Sequence, residues 1–171
     1  MHRLFRDEFV EVFNAHFDRL RRYLGRLSGE PELAADIAQE TFMKLYQRGA
    51  LPDAPGAWLV TVATNLLRNA RATRERRGHL LAVAADAQLY ADRPIPPAAA
   101  GDSGELRCRV RSALDRMPER ERQLLLLRAE GYNYRDIALA LDLREASVGT
   151  LLARAKRAFR DHYEDRANAS R

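Results

Sequence analysis

Apolar residues recur every three or four positions through most of this chain, and that spacing restricts what it can fold into more than any other feature. Phe5, Phe9, Val12, Phe13, Phe17, Leu20, Leu24 and Leu27 trace one side of a helix over residues 4–27, because a stripe of that period faces a core only when the backbone is helical. Ser28-Gly29 should end it. Pro31 suits a first helical turn and opens a second helix. Leu33, Ile37, Thr41 and Leu45 mark its apolar side, while Asp36, Gln39, Glu40 and Gln47 fall largely on another. This helix should stop near Gly49. The Pro- and Gly-containing run 49–56 reads as a loop, and a third helix is expected over 57–77. Trp58, Leu59, Val62, Ala63, Leu66 and Leu67 form its packing stripe, and Arg68, Arg71, Arg74, Arg76 and Arg77 its basic end.

Residues 78–104 lack sustained periodicity and contain Arg93-Pro94-Ile95-Pro96-Pro97-Ala98-Ala99-Ala100-Gly101, so they are expected to be a linker, at least in part. Periodicity returns with Leu106, Val110, Ala113, Leu114 and Met117, and Pro118 starts a helix that ends at Gly131. Asn133 is a good N-cap for a short helix over 134–141. Asp142-Leu143-Arg144 then turns the chain into a longer helix from about Ala146. The pattern is a helix-turn-helix. Ala138 permits close helix approach, Leu143 plugs the turn, and Val148 and Leu151 anchor the second helix, leaving its outward residues free to enter a major groove.

The expected fold class is therefore all-α: two small helical domains, residues 1–77 and 105–165, joined by a flexible linker over 78–104 and followed by a tail over 166–171. A chain of 171 residues can bury the cores of two such modules but not build a large enzyme with a deep cleft. Lys plus Arg exceed Asp plus Glu by 29 to 24, which favours a polyanionic partner. The excess is concentrated in the arginine-rich end of the third helix and in Arg154, Lys156, Arg157 and Arg160. His2, His16, His79 and His162 are scattered, and neither HExxH nor GxxxxGK occurs. No enzyme, metal or cofactor is expected. Cys108 is the single cysteine, an inert thiol of a reducing cytoplasm. The amino terminus meets charge too early for a signal peptide, and no apolar run reaches the length of a membrane span. The expected location is the cytoplasm, without membrane insertion.

Two sets of motifs carry a family resemblance. Tyr134-Arg135-Asp136-Ile137-Ala138, followed by Ser147-Val148-Gly149-Thr150-Leu151-Leu152-Ala153-Arg154-Ala155-Lys156-Arg157-Ala158, resembles region 4 of bacterial sigma factors. Asp36-Ile37-Ala38-Gln39-Glu40-Thr41-Phe42 resembles their core-binding region, and Ala57-Trp58-Leu59 with Val62-Ala63-Thr64-Asn65 their promoter-melting helix. The order and separation of these segments resemble the extracytoplasmic-function (ECF, group 4) type within the sigma-70 family.

The resemblance implies a protein that binds core RNA polymerase and directs promoter-specific transcription initiation without catalysing a reaction. It implies that Asp36, Gln39, Glu40, Lys44 and Gln47 dock on the beta-prime clamp helices, with a further contact to the beta flap. It places Leu51, Asp53 and Gly56 in a loop that captures a flipped base of the minus-ten element, and Asn65, Arg68, Arg71 and Arg74 along the separated strand. It assigns Arg135, Thr150, Leu152, Ala153, Arg154, Lys156 and Arg157 to the minus-thirty-five element. It also implies control by an anti-sigma factor. Asn69 stands where the family commonly has Asp, so no role is assigned to it. Leu152 stands where many relatives have Lys or Arg, and an aliphatic side chain there can only touch thymine methyls or pack. The alternative reading is a stand-alone helix-turn-helix repressor or activator whose first module dimerises or senses a signal.

Overall fold

A computed structural model describes residues 2–84 and 102–169, with side chains placed over 5–77 and 104–165. The described residues form seven helices: α1 His2–Ser28, α2 Pro31–Arg48, α3 Pro55–Ala84, α4 Asp102–Asp115, α5 Glu119–Ala129, α6 Tyr134–Leu141 and α7 Glu145–Ala169. The all-α expectation is met, and the punctuation falls where local chemistry requires it. Gly49 closes α2 in the left-handed region at φ 73°, its N–H bonded to the Tyr46 carbonyl, a conformation that costs a glycine no Cβ clash. Asn133 caps α6, its Oδ1 accepting the Asp136 N–H at 2.7 Å. Asp142 ends that helix at φ 51°, a left-handed position that short polar side chains tolerate.

In the first half, α1, α2 and α3 pack through Leu20, Tyr23, Leu24, Leu27, Ile37, Phe42, Leu45, Leu59 and Leu67. Along the α1–α2 seam, Phe13 stacks on Phe17 at 4.7 Å and meets the Phe42 ring edge-on at 5.0 Å. Trp58 is partly buried against this core, so packing is its role here. The second half packs α4 and α5 against α7, and α6 against α5 and α7. Its core is built from Leu114, Leu124, Leu127, Ile137, Val148, Leu152 and Ala155.

The structure adds two features to the expected layout. First, α3 continues to Ala84 and α4 begins at Asp102, so both ends of the expected linker are helical; its remainder, 85–101, lies outside the described residues. Second, the two halves pack against each other. Buried residues from both belong to one hydrophobic cluster, with α6 lying on α3 and α5 on α1. No helix of the described residues is long and apolar enough to cross a membrane.

Candidate polymerase and nucleic-acid interface

Helix α2 divides its residues cleanly. Ala34, Ile37, Ala38, Thr41, Phe42 and Leu45 are buried, and the Thr41 hydroxyl is satisfied by donating to the Ile37 carbonyl at 2.7 Å. Asp36, Gln39, Glu40, Lys44 and Gln47 are all exposed on the opposite side, joined by a Glu40–Lys44 ion pair at 3.5 Å. Met43 and Tyr46, not singled out from the sequence, are 55% and 57% exposed on this helix. The result is a mixed polar and apolar surface of the sort that partners cover. An exposed Met flanked by exposed polar residues was a usable sequence signal for it.

The loop ahead of α3 and the first turns of that helix bring Leu51, Asp53, Gly56, Asn65 and Arg68 to one side of the first half. Asp53, Asn65 and Arg68 are exposed, and Leu51 is half-buried. Gly56 is buried against the second half: a Cβ added there would lie 2.9 Å from the Asp136 Oδ2 and 3.1 Å from the His16 ring. A larger residue there would have to push the Asp136 carboxylate and the His16 ring aside. Thr61, Thr64, Asn65 and Arg68 line a cleft of about 380 Å³ whose far wall is Glu119, Arg120, Gln123 and residues 140–142.

Two of the arginines read as strand contacts are otherwise engaged. Arg71, half-buried, donates to the Leu27 carbonyl at 3.0 Å, and Arg74 pairs with Glu30. Both tie the middle of α3 to the α1–α2 junction, a structural use that the basic run alone did not disclose. Asn69 is exposed.

In the helix-turn-helix, Val148, Leu152 and Ala155 point inward at spacings of four and three. Leu152 is only 3% exposed. The expectation that it lies on the recognition surface is thus corrected: it packs in the core and cannot reach a base edge from there. Thr150, Ala153, Lys156 and Arg157 are exposed on the outer side of α7, and Arg135 is exposed on α6. Arg154 is 76% exposed on its side chain and sits 3.4 Å from Glu121, a loose pair that a phosphate could replace. Tyr134 is 41% exposed, with Arg128 over its ring at 5.4 Å.

Where the halves meet, sequence reading missed a cluster of arginines on α1. Arg19, Arg22 and Arg26 lie on one helical face at spacings of three and four, which was visible. Their partner Glu130, 104 or more residues away, was not. Beside them, His16 lies 6.3 Å from the Tyr132 ring, its Nδ1 buried without a hydrogen-bond partner. Burial lowers its pKa from 6.5, and Arg19 lowers it further, against an opposing pull from the Asp136 carboxylate. The folded chain therefore binds fewer protons at His16 than the unfolded chain does. Stability is fully present above 6.5 and is lost as pH falls through 6.5 toward the folded value. We expect the melting temperature to drop between pH 7.5 and 5.5, and to drop less in His16→Gln. Equal drops in both proteins would remove His16 from the account. Burial likewise raises the phenol pKa of both Tyr23 and Tyr132.

Comparison with known proteins agrees with this geometry. Residues 12–77 match the model of the family described as Sigma-70 region 2, and residues 109–159 that described as Sigma-70, region 4. The chain is 31% identical over 161 residues to RNA polymerase sigma factor CarQ of Myxococcus xanthus, covering 90% of this chain and 86% of that one. It is 32% identical over 148 residues to ECF RNA polymerase sigma factor EcfG of Rhodopseudomonas palustris, covering 81% and 74%. To ECF RNA polymerase sigma factor SigE of Mycolicibacterium smegmatis it is 30% identical over 156 residues, which spans 89% of this chain but 60% of that relative. A solved structure of the sigma factor RpoE in complex with the anti-sigma factor NepR from Bartonella quintana has the same fold. Its TM-score is 0.56 at 23% identity, over 94% of this chain and 96% of that one. With both regions in order along one chain and an uncovered polar face on α2, the protein belongs to the ECF RNA polymerase sigma factors of the sigma-70 family.

Proposed function

We propose that this chain binds core RNA polymerase through the exposed side of α2 and directs initiation at promoters, using α3 with its preceding loop for the minus-ten element and α7 for the minus-thirty-five element. The observation that carries the reading is the coexistence of two uncovered polar faces on one chain. One is Asp36, Gln39, Glu40, Lys44 and Gln47 on α2; the other is Thr150, Ala153, Lys156 and Arg157 on α7. Carboxylates and amides on α2 suit a basic partner helix pair, the chemistry of the beta-prime clamp helices. Lys156 and Arg157 suit phosphates and guanine edges in a major groove.

A single-stranded minus-ten element would meet Leu51 and Asp53 on the loop, the Asn65 amide, and Arg68 as a phosphate contact. The protein acts by positioning polymerase and DNA and is not itself an enzyme. A repressor or activator would have no use for a region 2 module, so that alternative is not favoured. The cytoplasm is where its partners are, and an anti-sigma factor, as in the RpoE complex, is the expected regulator.

The test is promoter-specific transcription by sigma-free core polymerase on genomic DNA fragments, with and without this protein. Initiation at discrete sites only when the protein is added is the expected result. Site-specific DNA binding without any new transcript would overturn the reading in favour of a repressor.

A further inference from the structure

Helix α3 presents a second amide to solvent one turn beyond Asn65. An α-helix turns about 100° per residue, so Asn69 lies about 40° round the axis from Asn65. Both are exposed. Arg76 returns to within about 20° of the same line, about 10 Å further along the axis than Asn69, and is exposed as well. The other arginines of this stretch leave the row clear, because Arg71 donates to the Leu27 carbonyl and Arg74 pairs with Glu30. Asn65, Asn69 and Arg76 therefore form a polar line along the exposed side of α3.

Helix formation does not account for the two amides. Each sits in the interior of α3, where asparagine is a poorer helix former than alanine, lysine or glutamine, and far from the N-cap position that favours it. Asn65 is partly engaged, its Oδ1 lying 3.5 Å from Arg68 Nη1, and both of those residues line the cleft with Thr61 and Thr64. Asn69 is turned about 100° away from Arg68 and stands outside that group. Its amide sets a carbonyl acceptor beside an NH2 donor. Adenine presents the complementary pair, an N6 donor beside an N7 acceptor, whereas guanine presents two acceptors on that edge and pyrimidines have no N7.

We propose that Asn69 is a specificity-determining residue for the separated promoter strand, pairing through its amide with the N6 and N7 edge of an adenine, while Arg76 holds a phosphate further along. The proposal rests on the sigma reading and names a base contact within it. A carboxylate at this position would only accept hydrogen bonds, which suits the cytosine N4 amine. An alanine would read nothing. The identity of residue 69 thus sets one letter of the promoter, and loss of the bidentate pair lowers initiation about tenfold.

A promoter found among the genomic fragments would have its minus-ten segment randomised, with a barcode placed in the transcribed region of each template. Core polymerase would transcribe this library with the full-length protein as wild type, Asn69→Asp, Asn69→Ala and Arg76→Ala. Wild type should prefer adenine about tenfold at one position. Asn69→Asp should move that preference to cytosine, and Asn69→Ala should flatten it without altering neighbouring positions. A template with 7-deazaadenine there keeps N6 but lacks N7. It should cost wild type about tenfold and cost Asn69→Ala nothing. Arg76→Ala should keep the adenine preference and lower the salt slope of promoter binding by about one; an unchanged slope would remove Arg76 from the proposal. Unchanged base preferences in both Asn69 variants, or a uniform fall in yield at every sequence, would overturn the base contact and leave the sigma reading intact. So would equal wild-type transcription from adenine and 7-deazaadenine templates. No discrete initiation by any of the four proteins would overturn the sigma reading, and the base contact with it.

Discussion

Replacing Asp36 and Glu40 together by arginine should lower core-dependent transcription by about a hundredfold or more while leaving the protein folded. Truncating one member of a hydrogen-bonded charge pair across an interface costs about 2–5 kcal/mol, and about 1.4 kcal/mol is a tenfold change in affinity. Two reversals on adjacent turns of one helix would therefore pass two decades if both carboxylates face basic groups of the polymerase. Both side chains are exposed, so the fold loses little. The Glu40–Lys44 pair at 3.5 Å is of the exposed i,i+4 kind, worth only about 0.3–0.5 kcal/mol. Three measurements give the answer: core binding in pull-down, transcript yield, and duplex DNA binding by the free protein. The first two should collapse and the third should hold. Undiminished transcription at the same protein concentration would mean that the α2 surface is not the polymerase contact.

The parts of this molecule that were legible in its sequence are those determined within a few residues. The α2 stop at Gly49 and the Asn133 cap of α6 each follow from one side chain acting on its neighbouring backbone. The α2 faces separate because their period is local, with Ile37, Thr41 and Leu45 buried and Asp36, Gln39 and Glu40 exposed. The boundary of α3 was less legible. Gly78 lowers helix propensity by about 1 kcal/mol, but Leu80, Leu81 and Ala82 are strong helix formers, and the helix runs through to Ala84. Least legible was everything that depends on distant partners. Arg71 and Arg74 looked like free basic residues because their acceptors, the Leu27 carbonyl and Glu30, lie on another helix junction. The Arg22–Glu130 contact joins residues 108 apart. No local pattern marks a glutamate that will be buried by the other half of its own chain.

Leu152 and Arg157 separate packing from recognition on a single helix, and their substitutions should separate accordingly. Family position placed both on the recognition surface, yet Leu151 and Leu152 are adjacent apolar residues and only three-dimensional packing decides which one turns inward. Leu152 does, at 3% exposure beside Val148 and Ala155, while Leu151 is half-buried. Leu152→Ala removes buried methyl groups and leaves a cavity, which costs about 2–5 kcal/mol. Whole-domain stabilities are about 5–15 kcal/mol, so the helix-turn-helix half should melt well below the wild-type temperature. Its DNA affinity measured cold should change little. Arg157→Ala removes an exposed side chain and should leave the melting curve in place. It should weaken duplex binding by about 1–3 kcal/mol if Arg157 reads a base, or lower the salt slope by about one if it meets a phosphate. Thermal denaturation and salt-dependent anisotropy on a promoter duplex, run on both variants, make the comparison. A Leu152→Ala protein that melts normally but fails to bind DNA would put that side chain back on the recognition surface, with α7 rotated about its axis from the packing described above.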